Sequence, residues 1–317
     1  MRILFISHTR LGDAVLSTGL LGALMDRYPE ARFTIACGPV AAPVFESFPA
    51  LERLVVMRKG PCLRHWRTLL GACFTTFWDL IVDLRGSASG WVLPTRRRRI
   101  FSGGSAGGHR VEQLAGLFEF DPVPAPRAWF SEADKARADL LSGDDPRPIL
   151  AVGPTANWRA KTWPLERFEA TVRELSGAGG VLDGARLAVL AAPQEREAAL
   201  PLLAAVPEGD RIDLAGTEPL GVLTAMLARS ALYIGNDSGL MHLAAATGAP
   251  TLGLFGPSRD EQYRPWGRRT AFVRTDRDYD TLRRDPGFCK DPDDSLMWDL
   301  PVDRVVGAAA GLLAGKA

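Results

Sequence analysis

The sequence predicts an α/β protein made of two doubly wound domains with parallel sheets. Three observations carry that expectation. Short runs that are apolar throughout alternate with stretches of helical periodicity, the pattern of strands covered by helices on both faces. The alternation breaks in a proline-rich and then charged stretch between residues 120 and 148, and resumes beyond it with a similar build. The 317 residues suit two domains of about 150 each better than one core.

The first run, RILFIS (2–7), reads as a strand that ends at His8-Thr9-Arg10-Leu11-Gly12-Asp13. A helical pattern follows over 14–28, with Val15, Leu16, Leu20, Leu24 and Met25 on its buried side, and Pro29 stops it. FTIAC (33–37), LVVM (54–57) and LIVDL (80–84) supply three more strands. The run Arg96–Arg99 reads either as a solvated charge cluster or, with Arg58, Lys59, Arg64 and Arg67, as a basic surface near the crevice. After FDPVPAPRAWF (120–130) and the charged helical stretch EADKARADLL (132–141), a boundary near 147 divides the chain into domains 1–147 and 148–317. Strands resume at 148–154, 185–193, 211–216, 231–237 and 250–256. A long irregular stretch, 257–300, precedes an amphipathic helix over 302–313, which is expected to be able to pack back on the first domain.

Composition narrows the function. A net charge of +1 gives the molecule no overall field that would draw it to nucleic acid, so an anionic partner must be met by a local patch. The cysteines Cys37, Cys62, Cys73 and Cys289 form no CxxC pair and have no histidine at metal spacing, which suits a reduced, cytoplasmic chain. No run approaches the ~18 apolar residues of a membrane span, and the first apolar run is shorter than the ~7–15 residues of a signal-peptide core. Gly12, Gly19 and Gly22 do not have GxGxxG spacing, which argues against a nicotinamide dehydrogenase.

Doubly wound sheets bind ligands beyond the carboxyl ends of their strands. Three motifs fall there. Asp13 follows the first strand and is either the helix cap or a carboxylate placed as a general base. GPTANWRAKTWPLERF (153–168) sets Thr155, Asn157, Arg159 and Lys161 before Trp163-Pro164 at a helix entrance, a good seat for phosphate oxygens. In YIGNDSGLMHLAAATGAP (233–250), residues Asn236 to Gly239 offer backbone N–H groups at the start of a small-residue helix, with Met241 and His242 in its first turn. Each motif alone is compatible with ordinary turn and cap chemistry. Their convergence on strand ends favours an anion site. Arg10, Arg64 and Arg97 are the candidates to meet an acceptor rich in negative charge.

RILFISHTRLGDAVLST, AKTWPLERF and GNDSGLMHLAAATGAPTLGLFGPS, in this order and spacing, resemble the ADP-heptose:lipopolysaccharide heptosyltransferases, glycosyltransferase family 9, over nearly the whole length. The resemblance implies a GT-B fold: two Rossmann-like doubly wound parallel-sheet domains facing a central cleft, acceptor on the first and nucleotide-sugar on the second. It implies inverting, metal-independent transfer of a heptose or related sugar from an ADP-sugar to a lipopolysaccharide core-type acceptor, with no cofactor beyond the donor. Asp13 matches the general base and Lys161 the lysine on donor phosphate. Thr155 or Asn157 occupies the neighbouring polar loop, Glu195 in AAPQE matches an acidic residue on the donor ribose, and Asp237, Ser238, Gly239 and His242, with Met241 among them, match the diphosphate turn. Two departures stand out: Ser7 or His8 replaces a basic residue often seen at the end of the first strand, and the segment 274–298 is idiosyncratic. The implied partners are a nucleotide-sugar and an anionic glycolipid, with peripheral contact at the inner membrane left open and no nucleic acid. Two other functions fit the same architecture: a nucleotide-sugar 2-epimerase-like isomerase and a non-catalytic nucleotide-sugar-binding protein.

Overall fold

The computed structural model describes all residues except 62, 104–106, 286–287, 289–293 and 316–317. The chain forms two compact units, Met1–Ser131 and Glu132–Ala317.

In the first unit the chain runs β1 (Arg2–Ile6), α1 (Leu11–Arg27), β2 (Arg32–Cys37), β3 (Leu51–Val56), α2 (Arg64–Cys73), β4 (Leu80–Asp83), α3 (Ala88–Val92), β5 (Arg98–Ile100) and α4 (Arg110–Ala115). The five strands are parallel in the order β3-β2-β1-β4-β5. Residues 3–6 of β1 are fully buried, as a central strand covered on both faces must be, and Leu4 and Ile6 share a core with Val55, Leu69, Trp78 and Ile81. Two expectations change here. Helix α1 begins at Leu11, earlier than the apolar pattern indicates, and its cap position is Arg10 without a side-chain bond, so Asp13 sits in the first turn and is not the cap. The arginine run is also not a simple solvated loop. Its last two residues and Ile100 pair with Ile81, Val82 and Asp83 as an edge strand.

The second unit runs α5 (Glu132–Ser142), β6 (Ile149–Gly153), α6 (Leu165–Ser176), β7 (Arg186–Ala191), α7 (Arg196–Ala204), β8 (Arg211–Ala215), α8 (Leu220–Arg229) and β9 (Leu232–Asn236). It continues with α9 (Gly239–Thr247), β10 (Thr251–Phe255), α10 (Asp260–Tyr263), β11 (Thr270–Arg274), α11 (Tyr279–Arg283) and α12 (Val302–Leu313). Its six parallel strands follow the order β11-β10-β9-β6-β7-β8. The division falls at 131/132, not near 147, because the charged helix α5 packs on α8 and pairs with its own unit through Arg137–Glu218 at 2.5 Å and Asp139–Arg229 at 2.6 Å. Helix α12 lies on α6, β10 and β11, with Val305, Ala309 and Leu312 in the core of the second unit. The stretch 257–300, read as irregular, contains β11 and two short helices.

Cys37 and Cys73 are buried free thiols, and burial pushes the Cys37 thiol up to about 12. Cys62 and Cys289 lie outside the described residues. Among the described residues no helix is long and apolar enough to cross a membrane.

In each sheet the strand order reverses between two neighbours, β1 and β4 in the first and β9 and β6 in the second. Connections from these strands leave in opposite directions, and the crevice outside their carboxyl ends is where a doubly wound sheet receives a ligand. The three sequence motifs follow β1, β6 and β9.

Candidate active site

In the first unit β1 delivers His8, Arg10 and Asp13 to its switch point. Asp13 is partly exposed in the first turn of α1, where the unpaired N–H groups favour negative charge. The neighbouring strand β4 brings Asp83, which is fully buried. One oxygen of Asp83 accepts the Arg85 N–H (2.8 Å) and the other accepts the N–H and hydroxyl of Ser87 (2.8 and 2.6 Å). These bonds fix the turn from β4 into α3, a role that reading LIVDL as a strand does not reveal.

His8 stands among these charges. Burial lowers its pKa below the ordinary 6.5; Asp13 pulls against that, Arg110 and Arg85 reinforce it, and Asp83 opposes it. Its Nε2 is shut off from solvent and bonded to nothing among the described residues. The end of β1 therefore presents a neutral imidazole beside Asp13 at neutral pH.

Exposed Arg10 caps α1, and exposed Arg64 opens α2 in the same connection as Arg58 and Lys59, all beyond strand carboxyl ends. Arg97 does not join them. Its carbonyl accepts the Ile81 N–H at 3.0 Å, level with the residues where β1 and β4 begin, so it lies at the amino end of the sheet, away from Asp13. The basic surface imagined from both clusters is two separate patches.

In the second unit, the chain leaving β6 passes Thr155, whose hydroxyl donates to Glu195 Oε2 at 2.7 Å, joining the strand ends of β6 and β7. Arg159–Lys161 form one tight turn, and Lys161 Nζ reaches Asp237 Oδ2 at 3.3 Å. Both side chains are mostly buried, 16% and 12% exposed, so the pair is only weakly screened. The other Asp237 oxygen lies 3.8 Å from His242 Nε2. Four of the sequence candidates thus form two linked pairs, and a fifth, His242, extends the second.

Gly239 is the first residue of α9 and Ser238 its cap position, with a side chain that does not cap. The helix ends at Gly248, whose φ of 84° a side chain would strain. Two candidates fall outside the group. Asn157 is exposed on its loop. Met241 is fully buried, its sulfur packed where a Cβ on Gly253 of β10 would stand, so it seats the helix on the sheet and offers no ligand surface.

The side-chain ties of Asn236 and Trp163, and the place of Tyr233, escape a sequence reading. Asn236 ties three segments: its amide N–H donates to Pro154 O and its carbonyl accepts the Trp163 N–H, each at 2.9 Å. Fully buried Trp163 also donates from its indole to Leu300 O at 3.0 Å. Tyr233 is buried beneath the turn with its hydroxyl beside Ser238, though neither makes a well-formed hydrogen bond. Burial holds the Tyr233 phenol well above its ordinary pKa, Ser238 opposing and Glu195 adding to the effect, so it remains a neutral hydroxyl.

Chemically, this turn offers one ammonium group, the N–H groups of a helix start and a hydroxyl, a donor set that suits phosphate oxygens. Among the described residues no group of three or more His, Cys, Asp or Glu side chains is gathered to hold a metal ion.

The sequence profile of glycosyltransferase family 9 (heptosyltransferase) matches residues 79–286. Lipopolysaccharide heptosyltransferase 2 of Escherichia coli K12 is 23% identical over 326 residues, spanning 90% of this chain and 91% of its own. Lipooligosaccharide heptosyltransferase 2 of Haemophilus ducreyi is 26% identical over 352 residues, spanning 99% and 100%. The solved structure of Escherichia coli ADP-heptose lipopolysaccharide heptosyltransferase II shares the fold, with a TM-score of 0.77 at 22% identity over 100% of this chain and 99% of that one.

Proposed function

The chain belongs to glycosyltransferase family 9, the heptosyltransferases, and from that membership we propose an inverting, metal-independent enzyme that moves a heptose or related sugar from an ADP-sugar to a lipopolysaccharide core-type acceptor. The observation that carries this reading is the Lys161–Asp237–His242 group at the start of α9. A cation held by a carboxylate beside open helix N–H groups is built for a diphosphate.

The roles follow from the chemistry. An acceptor hydroxyl is a weak nucleophile until its proton is taken, and Asp13 is the base. The new C–O bond forms at the anomeric carbon as the bond to the β-phosphate oxygen breaks, and a single displacement inverts that carbon. Negative charge grows on the departing diphosphate and is met by Lys161 and the first N–H groups of α9. Base assistance contributes about 10²–10⁴ in rate, and a preorganised donor to the leaving group contributes on the order of 3 kcal/mol. Glu195, held by Thr155, keeps lone pairs for the donor's ribose hydroxyls. We place the reaction on the cytoplasmic face of the inner membrane, with a nucleotide-sugar and an anionic glycolipid as partners and no nucleic acid.

The test pairs a transfer assay with a thermal-shift screen across ADP-, UDP-, GDP- and dTDP-sugars. ADP-heptose alone is expected to stabilise the protein, transfer is expected to persist with EDTA, and Asp13→Asn is expected to bind donor without transferring it. Stabilisation by another nucleotide overturns the donor. An Asp13→Asn enzyme with more than roughly a tenth of the turnover overturns the base.

A further inference from the structure

The amino end of the first sheet, away from Asp13, carries a cavity of about 690 Å³. Its wall includes Arg27, Arg96, Arg97 and Arg99, together with Tyr28 and Phe118. The sequence explains how the arginines arrive there. Side chains alternate along extended chain, so Arg99 of the edge strand β5 and Arg97, just before it, both reach this cavity. Arg98 turns to the other face, where it lies 5.6 Å from the centre of the Trp91 ring and donates to the Trp91 carbonyl at 2.6 Å. Arg27 is the last residue of α1, which runs antiparallel to the strands and so ends at their starts.

Two of these cations rest on aromatic faces, and among the described residues no ion pair neutralises any of the four. Arg27 lies over the Phe120 ring at 4.2 Å and Arg99 over Phe118 at 5.8 Å, and the two rings sit 5.9 Å apart. An aromatic face orients a guanidinium and leaves its charge in place. The wall has two carboxylates, Asp79 and Glu119, and among the described residues neither lies within ion-pair distance of the four arginines. Asp79 instead accepts the Arg2 N–H at 2.7 Å. Four guanidinium forks, two of them oriented by aromatic faces, stand against two carboxylates on this wall, and phosphate is the anion whose geometry a fork matches. The volume lies in the range of small-molecule sites, roughly 300–1,000 Å³, which is larger than a bare phosphate needs.

We propose that this cavity is a second anion site, taking a ligand with one or more phosphate groups on a larger body. That chemistry has two sources, a soluble phosphorylated metabolite and the headgroup of an anionic phospholipid. Exposed Phe77 and Trp91 border the same edge of the sheet, which makes the lipid arm worth measuring.

The experiment uses the full-length protein carrying Lys161→Ala, which removes the cation of the α9 turn, so its outcome does not depend on the glycosyltransferase reading. Pyrophosphate binding is followed by calorimetry, and co-sedimentation compares vesicles containing phosphatidylglycerol with pure phosphatidylcholine. Adding Arg97→Glu and Arg99→Glu is expected to weaken binding by roughly tenfold or more, as reversing two charge-assisted contacts should. Arg97→Gln with Arg99→Gln removes the two charges without reversing them and is expected to shift binding in the same direction, with an unchanged Tm. A loss confined to pyrophosphate identifies a soluble ligand, and a loss confined to phosphatidylglycerol vesicles identifies a lipid headgroup. No binding of either probe, or binding indifferent to Arg97 and Arg99, overturns the proposal.

Discussion

The hydroxyl of Tyr233 on β9 lies 2.2 Å from where a Cβ on Gly153 of β6 would stand, and 2.4 Å from the corresponding point on Gly235. Two glycines, one on each strand of the switch point, make room for one phenol beneath the candidate diphosphate turn. Gly153→Ala is expected to cost about 1–3 kcal/mol through overpacking, read from the urea midpoint. Tyr233→Phe should be nearly neutral alone, because the buried hydroxyl it removes makes no well-formed bond. Combined, the two changes should recover part of the loss, and strict additivity would show that the contact is not the cause.

Lys161→Ala should lower kcat/KM by about 10²–10³ and also cost about 3 kcal/mol of stability, because it leaves the mostly buried Asp237 carboxylate without its cation. Steady-state kinetics with the donor and a denaturation curve separate the two effects. A large stability loss with intact kinetics would make the lysine structural.

His8 sets a pH dependence. Its folded pKa is lowered from 6.5, first by burial, so below that value the unfolded chain binds more protons than the folded one. Stability is full above pH 6.5 and is lost as pH falls from there through the lowered value. His8→Gln should flatten that segment of a plot of urea midpoint against pH.

Asp83→Ala leaves the Arg85 and Ser87 donors without their acceptor at the end of β4. The expected cost is about 3 kcal/mol, measured by chemical denaturation. A change under about 1 kcal/mol would mean that water replaces the carboxylate.

The strands were legible where both faces are covered. Residues 3–6, 149–153 and 232–235 are apolar because helices lie on either side of the sheet. Strands β5 and β11 were not, since an edge strand needs only one partner and can be written in arginine or in half-buried residues. The pairing of Lys161 with Asp237 was legible as convergence, because both follow strands that meet at the reversal of sheet order. Met241 was misread for a reason of helical geometry. It is adjacent to His242 in sequence but turned about 100° away from it, into β10. Asn236 and Tyr233 look like strand-end residues in a linear reading, and their roles depend on partners 73 and about 80 positions away that no local pattern names.

The Asn236 amide stitches the end of β6, the loop carrying Lys161 and the end of β9 into one piece. Its partner Trp163 anchors the same piece to the chain at Leu300. A loop fastened this way does not swing as a flap. Its amides should exchange with deuterium only as fast as the sheet itself opens, and the ammonium of Lys161 waits in place before any substrate arrives. Slow steps in turnover then belong to other parts of the molecule.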